Sequence, residues 1–459
     1  MIVLYIEVII IQSAASSKNE YLIYENPMKA LMLFALPMIF GNLFQQIYNI
    51  ADSVIVGRFV GQNALAAVGA SSALTNVFIC IAVGAGTGAS VLVSQWFGSR
   101  DYKRMKCAVS TSILFFLVLS ILLGIVGFIF SRPIMRILHT PEEVVDMATV
   151  YLRVYFAGFP FLFMYNILAS MFNAIGNSRS PLYFLIFSSA LNVGLDLYMV
   201  ISLGMGVFGA ALATLIAQGI STALSFFVFL RTMRQYPSAS QIFSWPVLRR
   251  ILAFAVPSII QQSTVSIGMM LVQSVVNIFG PDALAGFSAA ARIENLIAVI
   301  WVSVGNAVSP FTAQNYGARK NDRIPQGYHA ALLLDLIFAA AVFLLVVPPA
   351  RRIAALFLGD SGTAEAYTVA VSYMRWIGIF CFFLGAKMAT DGVLKGIGSM
   401  KIFMIANLCN LTIRVSAAML LAPRFGISFV WYPVPAGWVT NILISHAAYR
   451  KFVRGNGCC

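Results

Sequence analysis

Charged residues are scarce in this chain of 459 residues, since Asp, Glu, Lys and Arg together make up only 10% of it. Soluble globular proteins carry roughly 25% of these residues. The chain is also 60% hydrophobic, and a soluble domain of this length exposes too much surface to hide that many apolar side chains. The composition therefore excludes a soluble globular protein and indicates one surrounded largely by hydrocarbon.

Metal, disulfide and nucleotide motifs are missing as well. The six cysteines show no CxxC spacing and the three histidines are scattered, so we predict no zinc site and no disulfide framework. The terminal pair Cys458 and Cys459 does not fit a prenylation signal. The run GAGTGAS at 84–90 lacks the lysine of a phosphate-binding loop, and its small residues predict close helix packing instead. No paired His/Asp constellation of a membrane enzyme is visible, so we predict no enzymatic activity and no cofactor.

Twelve apolar segments are long enough to cross a bilayer, which takes about 20 residues of helix. They are too long and too uniformly apolar for barrel strands, which alternate over about ten residues. We therefore predict an all-α polytopic membrane protein with twelve transmembrane helices. The predicted segments are 31–57, 64–95, 108–130, 147–172, 181–203, 207–231, 251–279, 284–313, 328–349, 366–394, 400–422 and 427–449.

Basic residues are distributed unevenly between the two sets of loops, and the formal net charge is +14. If both termini are cytoplasmic, 19 of the 30 Lys and Arg residues lie on the cytoplasmic side and 6 on the opposite side. The positive-inside rule then predicts cytoplasmic termini in a cell membrane, and we expect a bacterial inner membrane. The charge has this simpler explanation, so we predict no nucleic-acid partner.

The two halves of the sequence resemble each other at an offset near 220 residues. Six helices per repeat give both halves the same orientation, which predicts two six-helix bundles related by a pseudo-twofold axis along the membrane normal. Such duplication is typical of transporters with a cavity between two lobes. The matching pairs are FALPMIF from 34 with FAVPSII from 254, NALAAVGAS from 63 with DALAGFSAA from 282, SQWFGSRD from 94 with AQNYGARK from 313, YLRVYFAGF from 151 with YMRWIGIFC from 373, and NAIGNS from 173 with KGIGSM from 395.

The repeat and the loops suggest a division of the chain into five parts. We predict an N-terminal extension at 1–25, an N-lobe at 26–235, an inter-lobe linker at 236–250, a C-lobe at 251–450 and a C-terminal tail at 451–459. The extension is apolar but interrupted by Glu7, and it lacks the basic start of a signal peptide. An interfacial segment or a misassigned start codon would explain it, and we favour the second.

Two acids interrupt the apolar segments of the first half, namely Asp52 in the first segment and Asp196 in the fifth. Ionisable groups in hydrocarbon cost at least about 2.5 kcal/mol each, so each one needs a reason. Counting from the outer ends, Asp52, Asp196 and Thr214 lie roughly 10 Å below the outer surface. Asn192 lies one helical turn before Asp196. We predict that these four residues form a cation-coupling site.

Two ions fit this set of residues. Carboxylate, amide and hydroxyl oxygens suit Na⁺, whereas two carboxylates close together would favour binding of a proton. The competing interpretation is that each Asp braces a helix kink. The second repeat does not copy these residues; the positions about 220 further on are Val272 or Leu271, Thr412, Ser416 and Val434.

Other charges within the apolar segments are weaker candidates. Lys387 and Asp391 are four residues apart on the tenth segment, which favours mutual neutralisation over a substrate role. Glu294, in the motif AARIENL, could attract a cation or pair with a nearby arginine. Arg414 and Asp335 have no evident partner in the sequence, and a structural role is favoured for both.

The segment NPMKALMLFALPMIFGNLFQQIYNIADSVIVGRFVGQNALAAVGAS begins at residue 26. With this segment the chain resembles multidrug and toxic compound extrusion (MATE) transporters, part of a flippase-like superfamily, and the resemblance extends over roughly residues 26–450. Further matches are QWFGSRD, NAIGNSRSPL, LNVGLDLYMV and GVFGAALATLIAQ in the first half and AARIENL, AQNYGAR and LKGIGS in the second.

The resemblance implies efflux of drugs and other organic cations by antiport of H⁺ or Na⁺, as two lobes rock in the membrane. It also implies that Asp52, Asn192, Asp196 and Thr214 bind the ion. A carboxylate carried by some members on the seventh helix is absent here, where Gln261 and Gln262 stand instead. We therefore treat Gln45, Gln261, Gln262, Glu294 and Asp391 as candidates for substrate binding or a second ion site.

The alternative within the same superfamily is a lipid-linked saccharide flippase or a polysaccharide exporter. Such a protein would be expected to have a more basic central cavity, whereas the charges predicted for this N-lobe are acidic. We expect a monomer that contacts membrane lipid and a small-molecule substrate.

Overall fold

The computed structural model describes residues 20–138, 140–236, 238, 241–359 and 362–455. Twelve of its helices are long and apolar enough to cross a membrane, which confirms the predicted all-α fold with twelve spans. These helices are α1 (Pro27–Ile55), α2 (Gln62–Gly98), α3 (Tyr102–Ile137), α4 (Glu142–Ala174), α5 (Arg179–Asp196), α6 (Gly206–Arg234), α7 (Trp245–Asn277), α8 (Pro281–Gly317), α9 (Arg323–Val346), α10 (Ala364–Gly396), α11 (Met400–Phe425) and α12 (Val434–Gly455).

The sequence places most helix boundaries within a few residues, and the structure adds two features to them. A short amphipathic helix, Ala350–Leu358, follows α9 and buries Ala350 and Ala354 while Leu356 is 83% exposed. The π-helical segments Val56–Val60 and Leu197–Ser202 extend α1 and α5 directly. Cys458, Cys459 and residues 1–19 of the predicted extension lie outside the described residues.

The chain forms two compact units. The first comprises Phe40–Ile259 and the two described residues before Leu22, and the second comprises Leu22–Ile39 and Ile260 onward. Compared with the predicted lobe boundaries, the first part of α1 therefore groups with the second unit, and the first part of α7 groups with the first.

Each unit has its own aromatic core. In the first unit Phe159, Phe163 and Phe172 are fully buried, and Phe159 meets Phe163 edge to face with ring centroids 5.5 Å apart. In the second unit the largest fully buried side chains include Trp301 and Trp431. The helices that carry ionisable side chains pack around these two cores.

The glycine run of α2 allows the closest helix approach in the first unit. A Cβ added to Gly88 would lie 2.3 Å from the Cα of Ala255, and one added to Gly84 would lie 2.7 Å from the Cα of Ile259. Both distances are far below van der Waals contact, so only glycine fits where α2 meets α7. The prediction of close helix packing at these small residues is confirmed.

Candidate functional site

Three helices of the first unit bring the four predicted coupling residues together. Asp52 lies near the end of α1, Asn192 and Asp196 lie in the last turns of α5, and Thr214 lies on α6. Asp196 is fully buried and Asn192 is 2% exposed, while Asp52 and Thr214 are half-buried. Both helices that carry the acids continue into π-helical turns, a distortion found frequently at functional sites.

The two carboxyl groups lie within hydrogen-bonding reach of each other. Ionised carboxylates only accept hydrogen bonds, so a hydrogen bond between two carboxyl groups requires a proton on one of them. Two bare carboxylates at this distance would repel each other strongly in a buried environment. The geometry of Asp52 and Asp196 is therefore suited to holding one proton or one cation.

The amide of Asn192 connects the acid pair to its neighbours. Oriented to satisfy its surroundings, its nitrogen donates to Asp196 Oδ2 at 3.0 Å and to the Tyr48 hydroxyl at 2.9 Å. Its oxygen accepts from the backbone N–H of Thr214 at 3.0 Å and lies 3.2 Å from the Thr214 hydroxyl. Asn192 thereby fixes the orientation of Asp196 relative to α6.

Two oxygen atoms of the site are left without a hydrogen-bond partner. They are Asp52 Oδ1 and Asp196 Oδ1, both fully shielded from solvent within the described part of the chain. Buried carboxylate oxygens normally have partners. A cavity of about 20 Å³ adjoins the site, lined in part by Tyr151 and Thr214, and a volume of roughly 10–15 Å³ is enough for one water molecule. The cavity therefore has room for one water molecule beside Tyr151 and Thr214, although neither acid lines it.

Two tyrosines of the site were missed by sequence reasoning. Tyr48 contacts Asn192 and lies one helical turn before Asp52 on α1, and Tyr151 on α4 lies close enough to both acids to interact electrostatically. The one-turn spacing of Tyr48 and Asp52 could have suggested the first of them. Tyr151 is the first residue of the repeated motif YLRVYFAGF, but the repeat alone does not indicate that it contacts the acid pair.

Glu294 belongs to a polar cluster of the second unit, together with Tyr373 and Arg414. The Tyr373 hydroxyl donates to Glu294 Oε2, and Arg414 Nη2 lies 3.9 Å from Glu294 Oε1. Pairing with an arginine is thus the alternative that the structure supports for Glu294. Arg414, for which the sequence shows no evident partner, thus pairs with a residue on a different helix that lies far away in the sequence.

Asp391 and Lys387 form a buried ion pair on α10, with a distance of 2.8 Å between Lys387 Nζ and Asp391 Oδ2. Asn407 on α11 donates to the same carboxylate oxygen at 3.1 Å. The structure thus shows the ion pair on which the interpretation of mutual neutralisation depends, and the alternative substrate role of Asp391 stays a prediction. Asp335 is fully buried on α9, and neither carboxylate oxygen has a hydrogen-bond partner among the described residues.

The glutamine candidates do not join the Asp52 and Asp196 pair. Gln45 is exposed on α1, and Gln261 and Gln262 are half-buried on α7. None of the hydrogen bonds within the described ranges links these three side chains to the acid pair. Their suggested role in substrate binding stays a prediction.

Comparisons with known proteins agree with this architecture. The MatE family model matches residues 37–198 and 257–420, one stretch in each repeat. The probable multidrug resistance protein YpnP of Bacillus subtilis is 28% identical over 385 residues, which cover 84% of this chain and 86% of the relative. The multidrug export protein MepA of Staphylococcus aureus is 25% identical over 383 residues, covering 81% and 84%.

A solved structure of a MATE transporter has the same fold as this chain. It is the outward-facing conformation of a multidrug resistance MATE family transporter of the MOP superfamily, with a TM-score of 0.86, 26% identity, and coverage of 96% of this chain and 99% of that chain. The predicted family and the absence of an enzymatic role follow from these matches. The chain belongs to the MATE family of the MOP superfamily and is a multi-pass membrane transporter, not an enzyme.

Proposed function

We propose that this transporter exports organic cations by antiport against H⁺ or Na⁺, and that the ion binds between Asp52 and Asp196. The single observation that carries the proposal is the contact between the carboxyl groups of Asp52 and Asp196, whose buried Oδ1 atoms have no hydrogen-bond partner among the described residues. The names of the relatives YpnP and MepA, which refer to multidrug resistance and export, support drugs as the substrate class.

The division of roles within the site follows from its contacts. Asp52 and Asp196 supply the negative charge, Asn192 fixes Asp196, and Thr214 adds a hydroxyl oxygen beside the cavity. Carboxylate and hydroxyl oxygens are suitable ligands for Na⁺, while the carboxyl pair alone suffices for a proton. An acidic site in the first unit favours export of cations over transport of lipid-linked saccharides.

The orientation that we propose places both termini in the cytoplasm, because 19 of the 30 Lys and Arg residues then lie on that side. An inward-directed H⁺ or Na⁺ gradient would then drive the export of substrate. Access would alternate between the two sides of the membrane as the lobes move.

The decisive experiment uses purified protein in liposomes, with a proton gradient and a Na⁺ gradient imposed separately. We expect one of the two gradients to drive uphill movement of ethidium, a fluorescent organic cation, and collapse of that gradient by an ionophore to stop it. Uphill movement of ethidium that needs neither gradient, or no movement under either, would contradict the proposed antiport.

Substitution of Tyr48 tests the contact that the structure adds to the predicted site. Tyr48→Phe removes a hydroxyl 2.9 Å from the Asn192 amide, and we expect ion-driven ethidium transport to fall by about 3- to 10-fold, the effect of one neutral hydrogen bond. The measurement is the initial rate in liposomes. The matched control is Tyr183→Phe on α5, whose side chain is exposed and which should transport like the wild type. Equal rates for both variants would remove Tyr48 from the site.

A further inference from the structure

The second unit contains the repeat counterpart of the proposed ion site, and the structure shows which residues occupy it. Gly176 and Gly398 have nearly identical left-handed conformations, with φ of 85° and 84°. The same turn closes around each of them, since Asn177 N–H donates to Phe172 O and Ser399 N–H donates to Leu394 O, both at 2.9 Å. These turns lead into α5 and α11 and align the two helices residue by residue.

This alignment places Arg414 at the position of Asn192 and Ala418 at the position of Asp196. The matched motifs that begin at Tyr151 and Tyr373 have the same offset, so Tyr373 takes the position of Tyr151. Tyr151 interacts with the acid pair of the first unit, and Tyr373 contacts both Glu294 and Arg414. The tyrosine is retained in both units while the charges around it differ.

The charges of the two clusters lead to different ion chemistry. The first unit has two carboxyl groups and no basic side chain among their described contacts. The second has one carboxylate, Glu294, and one guanidinium, Arg414, which are 12% and 15% exposed. Because an arginine side chain does not release its proton in proteins, Arg414 supplies a permanent positive charge where the first unit must take up an ion.

The surroundings of Tyr373 keep this arrangement in place. Its ring is stacked between Phe287 and Trp431, with centroid distances of 5.2 and 5.0 Å and interplanar angles of 12° and 20°. Tyr373 is 1% exposed, so its hydroxyl is held against Glu294 with little freedom. Glu294 thus contacts a rigid donor through Oε2 and the Arg414 cation, 3.9 Å away, through Oε1.

We propose that the guanidinium of Arg414 takes the place of a monovalent cation beside Glu294 and so prevents Na⁺ or H⁺ from binding there. The transporter then exchanges its coupling ion through the first unit alone. This inference rests on the proposed antiport function. It predicts that removal of the Arg414 charge opens Glu294 to Na⁺ or H⁺, although the second unit lacks counterparts of Asp52 and Asp196.

The test measures the thermal stability of purified protein, because an ion that binds the folded state raises its Tm. Tm is recorded with Na⁺ against choline at fixed pH, and at low against high pH without Na⁺. In the wild type we expect an ion-dependent rise on the order of 5 °C, and in the Asp52→Asn/Asp196→Asn variant we expect it to be lost. Addition of Arg414→Gln to that variant should restore the ion-dependent rise, and further addition of Glu294→Gln should abolish it.

The outcomes distinguish failure of the proposed ion site at Asp52 and Asp196 from failure of the proposed role of Arg414. A wild-type ion response that survives Asp52→Asn/Asp196→Asn refutes the proposed function, whereas an Arg414→Gln variant as insensitive as its parent overturns only the role of Arg414. If Arg414→Gln does not fold, Glu294→Gln in the wild type decides the matter. Its ion response should equal that of the wild type, and a reduced response would show that Glu294 already exchanges ions and would overturn the inference.

Discussion

Asp196→Asn, and separately Asp52→Asn, are expected to lower the initial rate of gradient-driven ethidium transport by about 100-fold, because each removes one of the two charges that hold the ion, and an interaction with a charged group is worth about 1.5–3 kcal/mol. Asparagine has nearly the shape of aspartate and keeps hydrogen-bonding capacity, but it carries no negative charge. The remaining carboxyl group would then lack the second acid with which it shares a proton or a cation. Ethidium movement down its own gradient should continue, because it needs no energy from the ion.

This pair of variants separates ion coupling from the alternative that each acid merely braces a kinked helix. A brace depends on hydrogen bonding, which asparagine preserves, so the alternative predicts nearly normal uphill transport. The coupling hypothesis depends on charge and predicts its loss. Uphill and downhill rates are measured in the same liposomes, with the protein content matched by gel densitometry.

The matched control is Asp146→Asn, which also removes an acid from the first unit. Asp146 is 81% exposed and pairs with Arg132 at 3.1 Å, and exposed ion pairs of this kind contribute little to stability. We expect its uphill rate to stay within about twofold of the wild type. Wild-type uphill rates in both Asp52→Asn and Asp196→Asn would remove the proposed coupling site.

The proximity of the four proposed coupling residues could be predicted from the sequence because helix geometry is regular. A constant rise of about 1.5 Å per residue converts a count from the helix end into a depth, so residues on separate helices can be matched. The one-turn spacing of Asn192 and Asp196 likewise places them on one face of a helix. Glu294 shows the limit of this method, since its partner Arg414 lies 120 residues away along the chain and no spacing rule connects them.

The repeat could be recognised in the sequence, and the matched motifs NAIGNS from 173 and KGIGSM from 395 are offset by 222 residues, but the alignment of α5 with α11 was predicted from one average offset. A single offset near 220 assigns Thr412 and Ser416 to the positions of Asn192 and Asp196. The paired left-handed turns at Gly176 and Gly398 shift this assignment by two residues and bring Arg414 into it. The π-helical turns after Asp52 and Asp196 could not be predicted from the sequence, because such turns are rare and occur mostly as single turns within α-helices.

Gly88→Val is expected to prevent the recovery of monodisperse protein, or to lower its Tm by about 10 °C or more. A Cβ at this position would lie 2.3 Å from the Cα of Ala255 and 2.5 Å from its nitrogen. Favourable carbon–carbon contacts lie at about 3.5–4.0 Å, so α2 and the first part of α7 would have to separate by more than about 1 Å. Side chains can rotate to relieve crowding, but the backbone of Ala255 cannot.

The matched control for this prediction is Gly69→Val on the same helix. A Cβ at Gly69 meets nothing within 4 Å. This variant therefore introduces no clash, and only the difference in helix propensity between glycine and valine affects its stability. The measurements are size-exclusion profiles and thermal unfolding of both variants in the same detergent. Similar behaviour of the two would mean that the α2 and α7 backbones are not in close contact in the folded protein. A selective loss in Gly88→Val would show that the GAGTG run serves helix packing, as its lack of a phosphate-binding lysine already indicates.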